Sequence, residues 1–584
     1  MTVSMGSGGS YVGLSWKDSS ESSIHNVINT SACTLYAPLK SSLILSKGAG
    51  DPTWSRATKA WGFNELGYLE EIASGCAFFG GARLVKNTVR TKSEDFSNAA
   101  WTKTGGATVT GVDTLVCAAA TASQYLTQAA NSPTTIGLQY LYSVRVQSVP
   151  GGVGFIQLCG QSAGFGTGQY VNFSLADGSY SATGCTAVST PLGGGLYDFS
   201  ARLTATVTSS SDCLVVALAN SLADGRLPSF VGDGVKSVVV KRAWSCDVTG
   251  YDALYVPEYV SVGVESSPYH GAGIDGAKYF STDYTKSQAL PNLSGLRIEA
   301  AATNNLLHCR DLSNAAWSTK TDITAAKTAT GLDGIANTAT TLTATAADAI
   351  ILQPITLASA ARCASAYVKR RTGTGTISFT QDGGSSWTNI TSLINSSTWS
   401  RVQITATLSN PSVGFKISTS GDAIDVDCVN NEAGAVATSP IVTTTAAVTR
   451  NADSLTYQTS GNFSDTVGTA YVEVTPLSYS GGAIGSATNG LLLSTSNSGA
   501  TAFDGTNAAN GPTGTPDASE KLALNWTGTA MKVASSGAVG TAGTYDGAMG
   551  LTNIGVGVGA NGNFKNVAVY PYALSDADMV KITT

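Results

Sequence analysis

The chain has 584 residues, of which only 12% are charged, and a net charge of −6; it lacks the basic surplus with which a protein surface gathers nucleic acid, so no nucleic-acid partner is expected. No apolar run reaches the length that spans a bilayer, and membrane insertion is not expected either. The length accommodates about three or four domains of roughly 150 residues.

Residues 1–50 are Ser/Gly-rich at first and then carry an apolar run over 35–45, broken by Pro38 and Lys40. Two readings stay open for this segment: an anchor onto a larger assembly, or a poorly ordered terminus with one strand. Its first ten residues have neither the basic nor the apolar region of a signal peptide, so folding in the cytosol is the expectation. Ten cysteines, with no Cys-x-x-Cys among them, point the same way, to buried thiols rather than a disulfide framework or metal site.

Residues 51–92 form a connector containing Trp54-Ser55-Arg56-Ala57-Thr58 and Gly81-Ala82-Arg83. It leads into Asp95-Phe96-Ser97-Asn98-Ala99-Ala100-Trp101, which returns as Asp311-Leu312-Ser313-Asn314-Ala315-Ala316-Trp317, 216 residues later. A second pair, the stretches ending at Val207 and Leu408, is 201 residues apart. Two landmarks in the same order predict a tandem repeat whose second copy is about 15 residues shorter between them, as surface loops tolerate.

The first copy, 93–250, alternates at Val144 and Val146 and has the apolar run 213–218. A second connector, 251–303, repeats the Gly-x-Arg preamble at Gly295-Leu296-Arg297. The second copy, 304–450, alternates at Val402, Ile404, Ala406 and Leu408 and again at Val413, Phe415 and Ile417. Period two buries one set of side chains, and such strands, broken by turns like Asp177-Gly178 and Asp382-Gly383, describe two-sheet sandwiches. The last module, 451–584, closes with a strand near Val567 and a short helix that Ser575 can cap, with Asp576 and Asp578 in its first turn. The fold class expected is all-β, tandem antiparallel β-sandwiches with little helix.

Few residues advertise chemistry. His25, His270 and His308 fall in three different segments without a hydrolase or zinc motif, so no catalytic residue, metal or cofactor is assigned. Asp422, Asp425 and Asp427 invite a glycosidase or calcium reading, against which stands an acidic sheet edge or turn before the strand at Val426. His308 beside Cys309 is half a metal site. Lys369-Arg370-Arg371 reads as a solvated strand end, with contact to an anionic polymer as its alternative. Sugar binding needs exposed aromatic faces with polar partners. Tyr170 and Tyr180, around the Asp177-Gly178 turn, and Trp387, in a Gly/Ser loop, are the candidates; Trp101, Trp317 and Trp399 are expected in cores.

The landmark Asp-Phe-Ser-Asn-Ala-Ala-Trp, the Ser-Arg-Ala-Thr and Gly-Ala-Arg preamble, and the tail Glu432-Ala433-Gly434-Ala435-Val436-Ala437-Thr438-Ser439 with Val448-Thr449-Arg450 resemble the tandem modules of bacteriophage fibre and head-spike proteins. Those modules are similar to carbohydrate-binding jelly rolls, and residues 567–579 look like the end of a laminin-G or concanavalin-like sandwich. The sequence departs from the pattern at residues 251–258, where the first copy lacks the Glu-x-Gly-x-x-Ala-Thr-Ser tail. The resemblance implies a virion protein assembled in the bacterial cytoplasm, commonly a homotrimer, held to other virion proteins through 1–50 and reaching for host surface glycan. A polysaccharide depolymerase and a purely architectural decoration protein are the alternatives.

Overall fold

The computed structural model describes residues 32–584 apart from 65, 88–91, 129–131, 213, 258, 261–276, 281, 284–287, 291–292, 479, 495–498 and 515–517; His25, His270 and residues 1–31 therefore lie outside the described residues. The chain is built of antiparallel β-sandwiches in tandem, as expected.

Among the described residues the first module has two six-stranded sheets and the second has two five-stranded sheets. The shared strands occur in the same order. In each module one sheet starts from the strand after the Asn-Ala-Ala-Trp landmark, Trp101–Thr104 or Thr319–Thr321, and passes through Leu214–Ala219 or Ser412–Ile417. The other sheet is centred on the long pairs Gln139–Gln147 with Ser237–Asp247 and Ala360–Thr372 with Ala423–Ala433. Tyr180–Thr183 and Thr186–Gly193 have no counterpart in the second copy; they add an edge strand to each sheet of the first and account for its extra length.

The landmark itself is a turn that caps the sandwich. Ser97 and Ser313 donate to Asp95 and Asp311 at 2.6 and 2.5 Å, and the amides of Ala100 and Ala316 donate to Asn98 and Asn314 at 3.0 Å. Lys103 and Lys320 then cross back to the carbonyls of Ser97 and Ser313. Trp101 and Trp317 are buried in the two cores, as expected, with each indole N–H on a backbone carbonyl, Lys92 and His308 respectively.

Alternation holds where the strand is central. Val413, Phe415 and Ile417 are all buried, whereas Ser400–Leu408 lies at a sheet edge and only its first half covers the core, leaving Ala406 exposed. The cysteines also fit in their burial: eight of the nine described are buried and Cys185 is partly so.

The structure departs from the expected boundaries at the third sandwich, which 451–584 does not complete alone. Leu35–Ala37 pairs with Val567 to Val569 of the long strand Gly562–Tyr570, and Thr53–Ser55 pairs with Ser454–Gln458. Gly295–Ile298 pairs with the other end of Gly562–Tyr570, on the same side of it as Leu35–Ala37 and opposite Gly468–Pro476, and Phe78–Gly80 continues the sheet beyond it. Within 1–50, where an anchor and a poorly ordered terminus with one strand both stood open, residues 33–50, together with parts of both connectors, are strands and core of the last sandwich, with Leu35, Leu39 and Leu43 buried in it. The chain ends in the helix Asp576–Thr583, capped by Ser575, which accepts from the Asp578 amide as expected.

Candidate functional site

The connectors also bring the third sandwich against the second module. Ala60–Phe63 and Leu69–Ile72 form a hairpin in which Trp61 faces Glu71 and Phe63 faces Leu69. Leu69 is buried against Leu332 and Cys428 of the second module, and its amide donates to the Leu332 carbonyl at 2.8 Å. Position 62 is glycine for a steric reason: a Cβ there would come within 2.4 Å of the Phe78 ring, so only hydrogen lets that ring lie against the hairpin.

A cleft of about 250 Å³ opens between these parts, walled by Trp61, Phe63, Phe78, Tyr367, Arg297 and Arg401. Phe63 and Tyr367 lie 5.6 Å apart in a tilted pair. Tyr367 and Arg401 face each other on neighbouring strands, and the Arg401 guanidinium sits 5.4 Å from the Tyr367 ring centre. Ser294, Ser439 and Asn563 bring polar groups to the same wall. Trp61 and Pro440 are shared with a second cleft of about 530 Å³ on the other side of the hairpin.

Beneath the cleft is a buried ionic network. Arg56 pairs with Asp453 at 3.0 Å, Arg450 with Asp453 at 3.3 Å and with Glu299 at 3.6 Å, and Arg297 with Glu299 at 3.2 Å. Ser439 completes Glu299 with bonds from its amide at 2.7 Å and its hydroxyl at 2.6 Å. Burial opposes the Glu299 charge, but Arg297, Arg450 and Ser439 outweigh it and hold the carboxyl down at about 2. At Asp453 and Glu432 burial wins, and both carboxyls are pushed up. The Glu432 to Ser439 tail and Val448–Arg450, which pairs with Ala302–Asn304, are therefore the joint between two domains.

Arg401 stands apart in this network. One of its terminal nitrogens donates to the Thr438 carbonyl and to Ser365, its Nε is buried without a partner, and it forms no ion pair among the described residues. An arene-lined cleft with a guanidinium that forms no ion pair among the described residues and no carboxylate in its described wall can stack a flat apolar face and grip oxygen atoms.

The residues singled out from sequence are not brought together. Tyr170 pairs across from Thr183, and Tyr180 from Phe173; Tyr170 and Phe173 alternate to opposite faces of their strand, so the two tyrosines do too. Tyr180 is 45% exposed but rests on Phe173. Trp387 belongs to the other module, half-buried over its own Gly384 with the Lys416 ammonium 5.4 Å from its ring.

Trp399, expected in a core, is only half-buried at the domain joint, where Lys369 lies over it. Asp425 and Asp427 lie in the middle strand of their sheet rather than at an edge. Asp427 takes a two-pronged bond from Arg310 at 2.7 and 2.9 Å, Asp425 pairs with Arg371 at 3.2 Å, and Asp422 with Arg370 at 3.5 Å. The Lys369-Arg370-Arg371 run is thus the counter-charge of these aspartates and not a free strand end. His308 and Cys309 are held by the backbone of residues 443–444, and the described residues contain no group of three His, Cys, Asp or Glu side chains able to hold a metal. Sequence reasoning passed over Trp61, Phe63, Tyr367 and Arg401; the aromatic content of the first connector was the available signal.

No protein-family model matches the chain, and no curated protein matches it. Among solved structures it is similar to the N-terminal CBM22-1–CBM22-2 tandem domain of Xyn10C from Paenibacillus barcinonensis, with 10% identity and a TM-score of 0.23, over 60% of this chain and 98% of that one. A likeness that loose carries no argument about this chain.

Proposed function

We propose that this chain is a structural subunit of a phage-like virion, a head spike or tail fibre, that attaches to bacterial surface polysaccharide through its β-sandwich modules and does no chemistry on it. The observation that carries the attachment is the cleft at the joint of the second and third sandwiches. Its rings offer the C–H faces of a sugar a stacking surface, and Arg401, Asn563 and Ser294 supply polar partners for hydroxyls. Hydrolysis of a glycosidic bond calls for two opposed carboxyl groups, whereas at the joint Glu299 and Asp453 are committed to arginines and Glu432 is buried and held by Thr438 and Asn430; this favours binding over cleavage.

The virion assignment rests on the resemblance of the landmark turns and joints to phage fibre modules. Assembly in the bacterial cytoplasm, attachment to other virion proteins through the N-terminal residues and a homotrimeric state belong to the same proposal. Three chains would let weak sites add, raising avidity by about 10² to 10⁴. The test is co-sedimentation of the full chain with encapsulated bacteria, followed by assay of the supernatant for new reducing ends. Retention without release supports the proposal; release replaces it with a depolymerase.

A further inference from the structure

The joint that forms the cleft places four guanidinium groups, Arg56, Arg297, Arg401 and Arg450, around three carboxyl groups, Glu299, Glu432 and Asp453. The ion pairs assign Arg297 and Arg450 to Glu299 and Arg56 and Arg450 to Asp453. Glu432 is occupied by Thr438 and Asn430 instead. Arg401 has no ion pair among the described residues, its charge acting only at a distance on the Glu432 carboxyl, and it lines the cleft beside Tyr367. A guanidinium that lines a cleft with no carboxylate in its described wall offers its remaining N–H groups to an incoming anion.

We infer that the cleft is a subsite for an anionic sugar unit, whose ring lies against Trp61 and whose acidic group is taken by Arg401. This rests on the polysaccharide-binding reading and narrows its ligand to acidic glycans. Arg297 does not take the acidic group, because Glu299 already neutralises it and Asn563 lies 3.4 Å from its Nη1. The planar guanidinium of Arg401, 5.4 Å from the Tyr367 ring centre, suits a two-oxygen group such as a carboxylate or a phosphate.

The experiment measures binding of the full chain to polygalacturonate and to the same polymer after carboxyl reduction, and to phosphomannan before and after dephosphorylation. Binding should be at least about tenfold tighter to one acidic polymer than to its neutral counterpart, and should weaken with added salt. The polymer that shows the difference tells carboxylate from phosphate. Arg401→Gln should erase that difference. Because Arg401 also bonds the Thr438 carbonyl, its variant could loosen the joint, so Trp61→Ala, on the half-exposed hairpin, is measured beside it and should weaken binding to the same polymer. Equal affinity for acidic and neutral forms, or no binding to either acidic polymer, overturns the inference. Adhesion to encapsulated cells decides the wider reading separately: cells bound with equal polymer affinities would leave attachment standing and remove only the acidic subsite.

Discussion

The Tyr36 hydroxyl donates to the side-chain oxygen of Asn566 at 3.1 Å, joining residues 530 positions apart. Around that bond Leu35–Ala37 completes the sheet through Val567 to Val569, the Tyr457 hydroxyl reaches the Leu43 carbonyl at 2.7 Å, and Asn462 exchanges two bonds with the backbone of Ala49. The early chain is structural material of the last sandwich. Leu35→Ala is expected to lower the stability of that sandwich by about 2–5 kcal/mol, the range for emptying a buried leucine site. Urea unfolding followed through Trp526, which is buried in the same core, would report it; an unchanged midpoint would mean that the strand adds nothing.

The aspartates of the second module give a prediction against a calcium site. Asp427 is fully buried and bound by Arg310, so Asp427→Asn should destabilise the module by about 3–5 kcal/mol by leaving that arginine uncompensated. Chelation with EDTA should leave the melting temperature of the native chain unchanged. A fall on chelation would restore calcium to these carboxylates.

Much of this architecture was legible in the sequence, and the limits follow from distance along the chain. The repeat, the two-sheet sandwiches, the buried Trp101 and Trp317 and the Ser575 cap depend on local pattern, and each was read correctly. The pairing of residue 36 with residue 568 leaves no local trace, because an apolar strand looks the same whichever sheet receives it. The same blindness hid the cleft, since Tyr367 and Phe63 meet only after the hairpin docks on the second module. A run of aspartates suggests a sheet edge or turn, yet its register places Asp425 opposite Lys369 within the sheet.

Glu299 makes the joint sensitive to acid. Its folded carboxyl titrates at about 2 against an ordinary 4.5, so as pH falls the unfolded chain takes up the proton first. Its stabilising contribution is complete above about pH 4.5 and is lost as pH falls toward 2. Asp453 and Glu432, shifted upward by burial and in smaller part by the Glu299 charge, contribute with the opposite sign, and Glu299→Gln removes only that smaller part of their shift. Glu299→Gln should therefore be less stable by roughly 3 kcal/mol at pH 7, with the gap to the native chain narrowing at pH 4 and again at pH 3. A gap that stays constant with pH would remove Glu299 from this role.

Gly62 sets the width of the cleft. Gly62→Ala should push Phe78 away, because the added methyl meets the ring at 2.4 Å, and should weaken glycan binding while the three sandwiches stay folded. Alanine at Tyr180 and Trp387, which stand outside the cleft, should change binding by less than about twofold, within the usual ±0.5 kcal/mol of a surface substitution. Loss at those two positions with none at Gly62 would move the site back to the module surfaces.

Attachment to surface polysaccharide is proposed to run through the cleft between the second and third sandwiches. Its most direct test compares the full chain and Trp61→Ala for binding to encapsulated bacteria and to acapsular mutants of the same strain. The native chain should bind only the encapsulated cells, and Trp61→Ala should lose at least about tenfold of that binding. Equal binding to both cell types, or capsule-dependent binding that Trp61→Ala leaves intact, would contradict it.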